Sequence, residues 1–456
     1  MQQAKLKDTI IIGTGLTGLT VAHKLNQKNR EFLALESNSK PGGVIQTKNK
    51  NGFIYETGPN TGIIKYGEVA DLFEELSEYC SPEIPDNSVK KRFIWKKDRW
   101  QQLPSGLKGG IKTNLFSWKD KFRILGEPFR APGKDPYETL DKMVRRRMGE
   151  SFLNYAVDPF ILGVYAGDPA RIVPKFALPK LYNLEQEYGS FIGGAIKKKM
   201  EKKDSNEEKA TKDVFSIKNG LENFVKSLYK SAGTENFIFN TEKVEVTPQE
   251  DGSFKVIYTQ NGITEIVYTN HIISTVGSYE LKNILSIPEN NLLDIIDSVK
   301  YARVIHAAVG FSDWKGPELS GFGGLVPYIE NRDILGVLYM SSFLSNRAPK
   351  NGQLLSVFLG GVRREDIYYK SDEEVKKIIE KELKSMFNLS EFNPELLELN
   401  RYEHAIPQYG KESGQRFKAI EQLEEQYPGL ILAGNMRDGI GMADRIKQAF
   451  DIASDF

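Results

Sequence analysis

The sequence predicts a mixed α/β plus α+β fold: an α/β domain assembled from the two ends of the chain, a mixed-sheet domain, and a helical insertion. Three observations predict it. A β-branched run, Thr9 to Ile12, leads into a glycine-rich turn and then an apolar helical pattern. The same order recurs at the far end, from Leu430 through Gly434 and Gly439 to Ala453. Between them, Asp251-Gly252 and Asn261-Gly262 punctuate apolar runs in the manner of hairpin turns.

At 456 residues the chain exceeds one ordinary core, so two or three domains are expected. Hydrophobic residues at 40% and charged residues at 27% give the balance of a globular protein. Lys plus Arg (62) nearly cancels Asp plus Glu (61), so nothing in the charge calls for a nucleic-acid partner. Cys80 is the sole cysteine, which excludes an intrachain disulfide and a CxxC motif and fits a reducing, cytoplasmic compartment. Neither an export signal nor an uninterrupted apolar run of about 18 residues is read in the chain, which argues against a spanning helix. His23, His271, His306 and His404 are the only histidines and none lies in HExxH, so no metal ligand and no catalytic acid or base is assigned.

The first strand opens into Gly13-Thr-Gly15-Leu16-Thr17-Gly18, followed by Leu19, Val21, Ala22 and Leu25 at helical spacing. Gly13 permits the tight turn, Gly15 lets the backbone approach a pyrophosphate, and Gly18 lets helix and strand pack closely. The free N–H groups of the first helical turn, Leu16 and Thr17 included, face the phosphate charge. Phe32 to Leu35 supplies a second strand ending at Glu36 and Ser37, where a carboxylate is needed for adenosine ribose hydroxyls. The order strand, glycine turn, helix, strand, acid predicts a Rossmann-like dinucleotide site. Glu36 disfavours NADP, whose extra phosphate it would repel.

Pro41-Gly42-Gly43-Val44 and then Gly58-Pro59-Asn60 follow. These resemble the second glycine-rich loop of the amine oxidase and protoporphyrinogen oxidase superfamily, and the resemblance implies FAD. Val44 stands where that superfamily usually has Arg. Gly434-Asn435 and Gly441-Met442 are similar to its C-terminal flavin motif, where a helix N-terminus stabilises negative charge at the flavin N1/O2 edge. Cofactor contacts at both ends make the FAD domain discontinuous. Phe237 to Phe239, Val244 to Val246 and Phe254 to Tyr258 read as strands, and His271 to Thr275 as a return strand carrying Thr275 to the cofactor. The resemblance makes the Val244 backbone an adenine contact.

Lys91-Arg92-Phe93-Ile94-Trp95, Leu103-Pro104-Ser105-Gly106-Leu107, Gly163-Val164-Tyr165-Ala166-Gly167-Asp168-Pro169 and Ala405-Ile406-Pro407-Gln408-Tyr409 are similar, in that order, to motifs of the protoporphyrinogen oxidase family. The resemblance implies that Arg92 holds a substrate propionate, a role suited to the guanidinium fork. It implies that Gly163, Tyr165 and Ala166 form the turn nearest the reacting ring, and that Leu325 and Tyr339 line the opposite wall, ordinary sheet core being the alternative for those two. The expected division is an FAD domain from 1–88, 213–300 and 406–456, a helical, substrate-binding and membrane-associating region at 89–212, and a substrate domain at 301–405.

The implied reaction moves hydride from a porphyrinogen meso carbon to flavin N5 three times, with O2 as acceptor, in haem biosynthesis. Coproporphyrinogen III is the nearest alternative substrate to protoporphyrinogen IX. An amine oxidase with an aromatic cage, a carotenoid desaturase with a long tunnel, and a flavin-free binding protein like the GDP-dissociation inhibitors are the more distant ones. Leu107, Ile111, Leu115, Trp118, Phe122 and Leu125 recur at helical spacing among basic residues, a face for either the core or an anionic membrane surface. The second choice would place the protein peripherally on the inner face of the cell membrane, beside a neighbouring haem-pathway enzyme. Lys197 to Asp213, dense in alternating charge, is expected to be a solvated, mobile loop.

Overall fold

The computed structural model describes residues 5–104, 106–202 and 204–456, and Ser105 and Lys203 lie outside the described residues. Two seven-stranded sheets organise the chain. In the first, the strands Phe237–Ile238, Phe32–Leu35, Lys5–Ile12 and Ile263–Ser274 lie side by side in parallel, with Leu430–Leu432 closing the far side. Thr241–Pro248 and Phe254–Gln260 extend the sheet as antiparallel hairpins, turning at the two expected glycine dipeptides.

The parallel strands are apolar and, at the sheet centre, buried on both faces, as a sheet between layers requires. Ile11, Phe32, Ala34 and Ile273 pack against helices Leu16–Gln27, Glu222–Ser231 and Met442–Ser454. Ile10, Ile12, Leu33, Leu35 and Ile272 pack on the opposite side against Leu293, Ile296, Ile420 and Leu423. Each fully buried Ile or Leu contributes roughly 1.5–3 kcal/mol over an exposed one, so the sheet is the stable frame on which its loops are hung.

The second sheet runs Leu396–Pro407, Tyr301–Phe311, Gln353–Gly360, Gly336–Tyr339, Gly323–Leu325, Arg92–Trp95 and Trp100–Gln102. Helix Asp372–Phe387 covers one face through Val375, Ile379, Leu383 and Phe387. Residues 92–102, expected in the helical insertion, instead complete this sheet. The strand Leu396–Pro407 also runs past the expected boundary at 405/406. Helices from Leu140–Arg147 to Phe191–Met200 form the insertion, around Met143, Ile161, Tyr165 and Phe191.

Two expectations on the insertion change. Leu115 is wholly buried against Ile94, whereas Ile111, Trp118, Phe122 and Leu125 are exposed, because a turn at Thr113 to Ser117 splits the expected helix into Gly106–Lys112 and Trp118–Leu125. Ser117 and Asp120 form a capping box that starts the second piece. The segment Lys197 to Asp213 is not a loop throughout. Helix Phe191–Met200 reaches into it, and helix Ser205–Lys209 docks through Asn206 on Glu68 and Lys209 on Asp71. Among the described residues no helix is long and apolar enough to cross a membrane.

Candidate active site

The parallel register aligns Ile12 with Leu35 and with Ser274, and Ser274 with Leu432. The residues just beyond these strand ends, Gly13, Glu36, Thr275 and Gly434, therefore gather along one edge of the sheet. Ligands bind in the crevice outside the carboxyl ends of such strands.

A Cβ at Gly18 would sit 2.1 Å from the Gly13 carbonyl oxygen, so only glycine lets this helix start so close to the strand. A Cβ at Gly15 would meet nothing within 4 Å, and the helix it opens has no side-chain cap. The second glycine loop faces this opening: the Gly42 N–H donates to the Thr14 carbonyl at 2.8 Å, and Gly43 lies against the Gly15 Cα. An uncapped N-terminal turn, exposed by a missing side chain and enclosed by a second glycine loop, fits a diphosphate. Leu16 and Thr17 in that turn are buried, so their backbones are what it presents.

Other expected cofactor residues act on the frame. Glu36 is buried, and its carboxylate accepts the Thr14 N–H (2.9 Å) and hydroxyl (2.7 Å) and the Asn38 N–H (2.9 Å) and amide (2.7 Å). Those bonds match a carboxylate's capacity of about four, so Glu36 here fixes the glycine turn. Ser37 is exposed beside it. The Thr275 hydroxyl donates to the Gly13 carbonyl at 2.9 Å. Gly58 packs so closely on the Val44 carbonyl that a Cβ would lie 2.1 Å away, with Pro59 half-buried after it. The Val44 side chain is exposed. A register shift between Glu242 and Glu245 takes Val244 out of the ladder.

At the far end, Gly441 caps helix Met442–Ser454, and its N–H donates to Asp444 Oδ2 at 3.0 Å. Buried Arg445 and Arg416 hold the loop before it through the carbonyls of Arg437, Gly439 and Met436. The Tyr409 hydroxyl donates to the Asn435 carbonyl at 2.9 Å, and the Gln408 amide to the Tyr165 carbonyl at 2.9 Å. The fourth middle motif thus ties the flavin-type loop to the expected substrate turn, a role its sequence did not disclose.

The face of the second sheet opposite helix Asp372–Phe387 meets Asn60 at Ser356 and the insertion at Ile94 and Leu325. Arg92 pairs with Gly323, Ile94 with Leu325, Leu325 with Gly336, Gly323 with Leu338, Leu338 with Ser356, and Gly336 with Phe358. Alternation therefore puts Arg92, Leu325, Leu338, Ser356 and Phe358 on one face. Leu325, Leu338 and Phe358 are only half-buried there and Arg92 is exposed, its guanidinium 5.3 Å from the Phe322 ring centre. Gly163 is exposed and touches the edge of this face, since a Cβ on it would lie 2.5 Å from Leu325 Cδ2.

Tyr339 does not join this wall. It points the other way, is 3% exposed, and packs on Phe93 and Phe387 beneath helix Asp372–Phe387. The adjacent Leu338 takes the place expected for it. Tyr165 and Ala166 are also buried: the Tyr165 hydroxyl donates to the Ala177 carbonyl at 2.7 Å and is pushed well above its usual pKa by burial, and Ala166 makes a left-handed helix end. They shape the turn and leave Gly163 to face the cleft. Asn60 ties the second glycine segment to the second sheet by accepting the Ser356 hydroxyl at 2.9 Å. His306, beside Phe358 and the Thr57 backbone, is held neutral, its pKa pushed down to about 4 by burial.

An edge fitted to a dinucleotide, beside an apolar sheet face with an exposed arginine, fits a flavoprotein oxidoreductase. Residues 16–446 match the family described as flavin containing amine oxidoreductase, and the chain belongs to that family. It has the flavin amine oxidase fold, and its cofactor is FAD. Among curated relatives, the chain is 28% identical to the mitochondrial protoporphyrinogen oxidase of Nicotiana tabacum, over 99% of this chain and 95% of that one. It is 26% identical to the coproporphyrinogen III oxidase of Bacillus subtilis (strain 168), over 98% and 97%. A solved protein of Exiguobacterium sp. 255-15, provisionally named protoporphyrinogen oxidase, superposes with a TM-score of 0.80 at 20% identity, covering 100% of this chain and 99% of that one.

Proposed function

We propose that the protein oxidises a porphyrinogen to the porphyrin with O2 as acceptor, and that the substrate is protoporphyrinogen IX. The observation that carries this is the shared face of Arg92, Leu325, Leu338 and Phe358, bounded by exposed Gly163 against Leu325. A flat macrocycle with carboxylates on one edge needs an apolar slot, a wall free of side chains and a cation at the rim. The two similar oxidases named above support the reading.

FAD would be held by the Gly13–Gly18 turn, Gly42 and Gly43, the Gly58–Asn60 segment, Val244 and the Gly434–Met442 loop. When bound there, it would supply a hydride acceptor that O2 can reoxidise. The chain's own residues then bind and orient. Arg92 anchors a propionate, Leu325, Leu338 and Phe358 support the ring, and Gly163 lets it lie against the backbone. The half-buried sheet face and the helical insertion keep water from the slot. We assign no side chain as proton acceptor. The exposed Trp118, Phe122, Leu125 and Phe129 among lysines support a second part of the proposal, that the insertion rests on an anionic membrane surface from which substrate is drawn.

The test is a flavin spectrum of the purified protein, then oxygen-dependent oxidation of protoporphyrinogen IX and coproporphyrinogen III followed by porphyrin fluorescence, with Arg92→Ala alongside. Preference for the first substrate, weakened in the variant, is expected. Preference for the second would keep the chemistry and change the substrate, and bound flavin without either activity would end the proposal.

A further inference from the structure

Arg92 is suited to holding one carboxylate, but a porphyrinogen carries at least two. A second basic group stands along the rim. Lys90 pairs with Asp213 at 2.6 Å, which draws the start of strand Arg92–Trp95 onto the segment beside Lys212. The Lys212 N–H in turn donates to the Ile64 carbonyl at 2.8 Å, next to Lys65. The Lys65 ammonium lies 4.9 Å from the centre of the Tyr66 ring, and the Lys180 ammonium, from helix Pro179–Tyr188 of the insertion, lies 4.8 Å from the same centre.

This pair shares a single carboxylate, that of Asp444. Asp444 Oδ1 accepts Lys65 Nζ at 2.6 Å and the Tyr66 hydroxyl at 3.0 Å, while its other oxygen caps the helix behind the flavin-type loop. Among the described residues Lys180 has no carboxylate within ion-pair distance. Partial burial, and then the charges of Lys65, Lys212 and Lys198, hold its ammonium below the usual lysine range. Two ammonium groups that share one carboxylate, Asp444, leave a net positive site that favours an incoming anion. The group adjoins the substrate turn: Asp444 Oδ2 lies against Gly439, the Gly439 carbonyl accepts the Tyr409 hydroxyl, and the neighbouring Gln408 amide donates to the Tyr165 carbonyl.

We propose that Lys180 and Lys65 form a carboxylate subsite at the rim of the interdomain cleft, taking a propionate of the macrocycle other than the one held by Arg92. This rests on the porphyrinogen reading. Ammonium groups on flexible stems accept a carboxylate over a range of positions, whereas the Arg92 fork fixes one. The subsite would therefore tolerate different propionate patterns, and a substrate with four propionates would engage it at least as strongly as one with two.

Lys180→Met is the informative variant, since it keeps most of the stem and leaves the Lys65–Asp444 pair in place. KM and kcat would be measured for protoporphyrinogen IX, coproporphyrinogen III and the methyl ester of the former in detergent, with flavin content recorded. Loss of a partly exposed charge-assisted hydrogen bond corresponds to about a fivefold to tenfold rise in KM. That rise is expected for both free acids, on KM rather than kcat, absent for the ester, reversed in Lys180→Arg and diminished by salt. Equal KM for wild type and Lys180→Met, or the same rise for acid and ester, would overturn the subsite while leaving the porphyrinogen reading intact. If the wild type oxidises none of the three, that reading falls and the subsite with it.

Discussion

Arg347→Met should destabilise the junction between the two sheets more than any surface substitution. Arg347 is 1% exposed and reaches from the loop after Phe343 into the nucleotide domain. It donates to Glu56 Oε1 at 2.9 Å, to the Ser216 hydroxyl at 3.0 Å and to the Ile217 carbonyl at 3.2 Å. Glu56, equally buried, also accepts the Thr47 hydroxyl at 2.6 Å and the Leu221 N–H at 3.0 Å, directly before the segment that carries Gly58 and Asn60. Removing one partner of a buried pair typically costs about 3–5 kcal/mol, because the other charge is left without compensation. For a urea slope of about 3 kcal/mol per molar or more, that lowers the unfolding midpoint by about 1 M.

The pH dependence has a definite sign. Burial outweighs the Arg347 charge and raises the Glu56 pKa above its unfolded value. The folded state then binds the extra proton, so stability falls as pH rises from the unfolded pKa through the folded one. Without Arg347 that pKa rises further, so the gap between variant and wild type should narrow from pH 7 to pH 5. Glu56→Gln in the Arg347→Met background removes the stranded charge, keeps an oxygen acceptor for the Leu221 N–H and turns the Thr47 contact round so that the amide donates to the hydroxyl, so it should recover at least half of the loss. Unfolding would be followed by tryptophan fluorescence and by flavin release. A single variant within about 1 kcal/mol of wild type, or a double variant no better than the single, would refute the reasoning.

The two glycines of the first turn should separate folding from cofactor binding. Gly15→Val has open space and should yield folded protein with little or no flavin by absorbance, whereas Gly18→Val should fail to fold, as read by soluble yield and circular dichroism. On the second sheet, Leu338→Ala should raise the KM for porphyrinogen several-fold while Tyr339→Phe leaves it within about twofold; equal effects would return Tyr339 to the wall. Replacing Trp118, Phe122 and Phe129 together by Ser should abolish co-sedimentation with vesicles of anionic lipid without lowering the thermal midpoint, since all three side chains are exposed.

The nucleotide edge was legible because each part has a mechanical signature. The strand at Thr9 to Ile12, the glycines and the hairpin dipeptides stand in the chain where the structure has them. Glu36 was legible as a necessary carboxylate but not as one already satisfied by Thr14 and Asn38, since those contacts depend on how the turn closes. Tyr339 failed for a simpler reason. Gly336–Tyr339 is apolar on both faces, so a period of two has nothing to choose between, and only pairing with Gly323–Leu325 decides which side chain faces the cleft. Phe358 was missed for the same reason, inside the apolar strand Gln353–Gly360. The split at Thr113 to Ser117 had a signal in Ser117 and Asp120, a capping pair that helical periodicity overran.

The closing strand of the nucleotide sheet has a consequence during synthesis. Ile272 to Ser274 pair on one side with Leu430–Leu432, more than 150 residues later in the chain. At about 5–20 residues per second, a ribosome leaves that sheet edge without its partner for roughly 10–30 s. Throughout that interval the first glycine turn lacks the Gly434 loop, so cofactor capture waits for the last helix. A nascent chain with an open β-edge is a target for wrong pairing, and the yield of folded protein in a cell should follow elongation rate and chaperone supply as closely as it follows the supply of FAD.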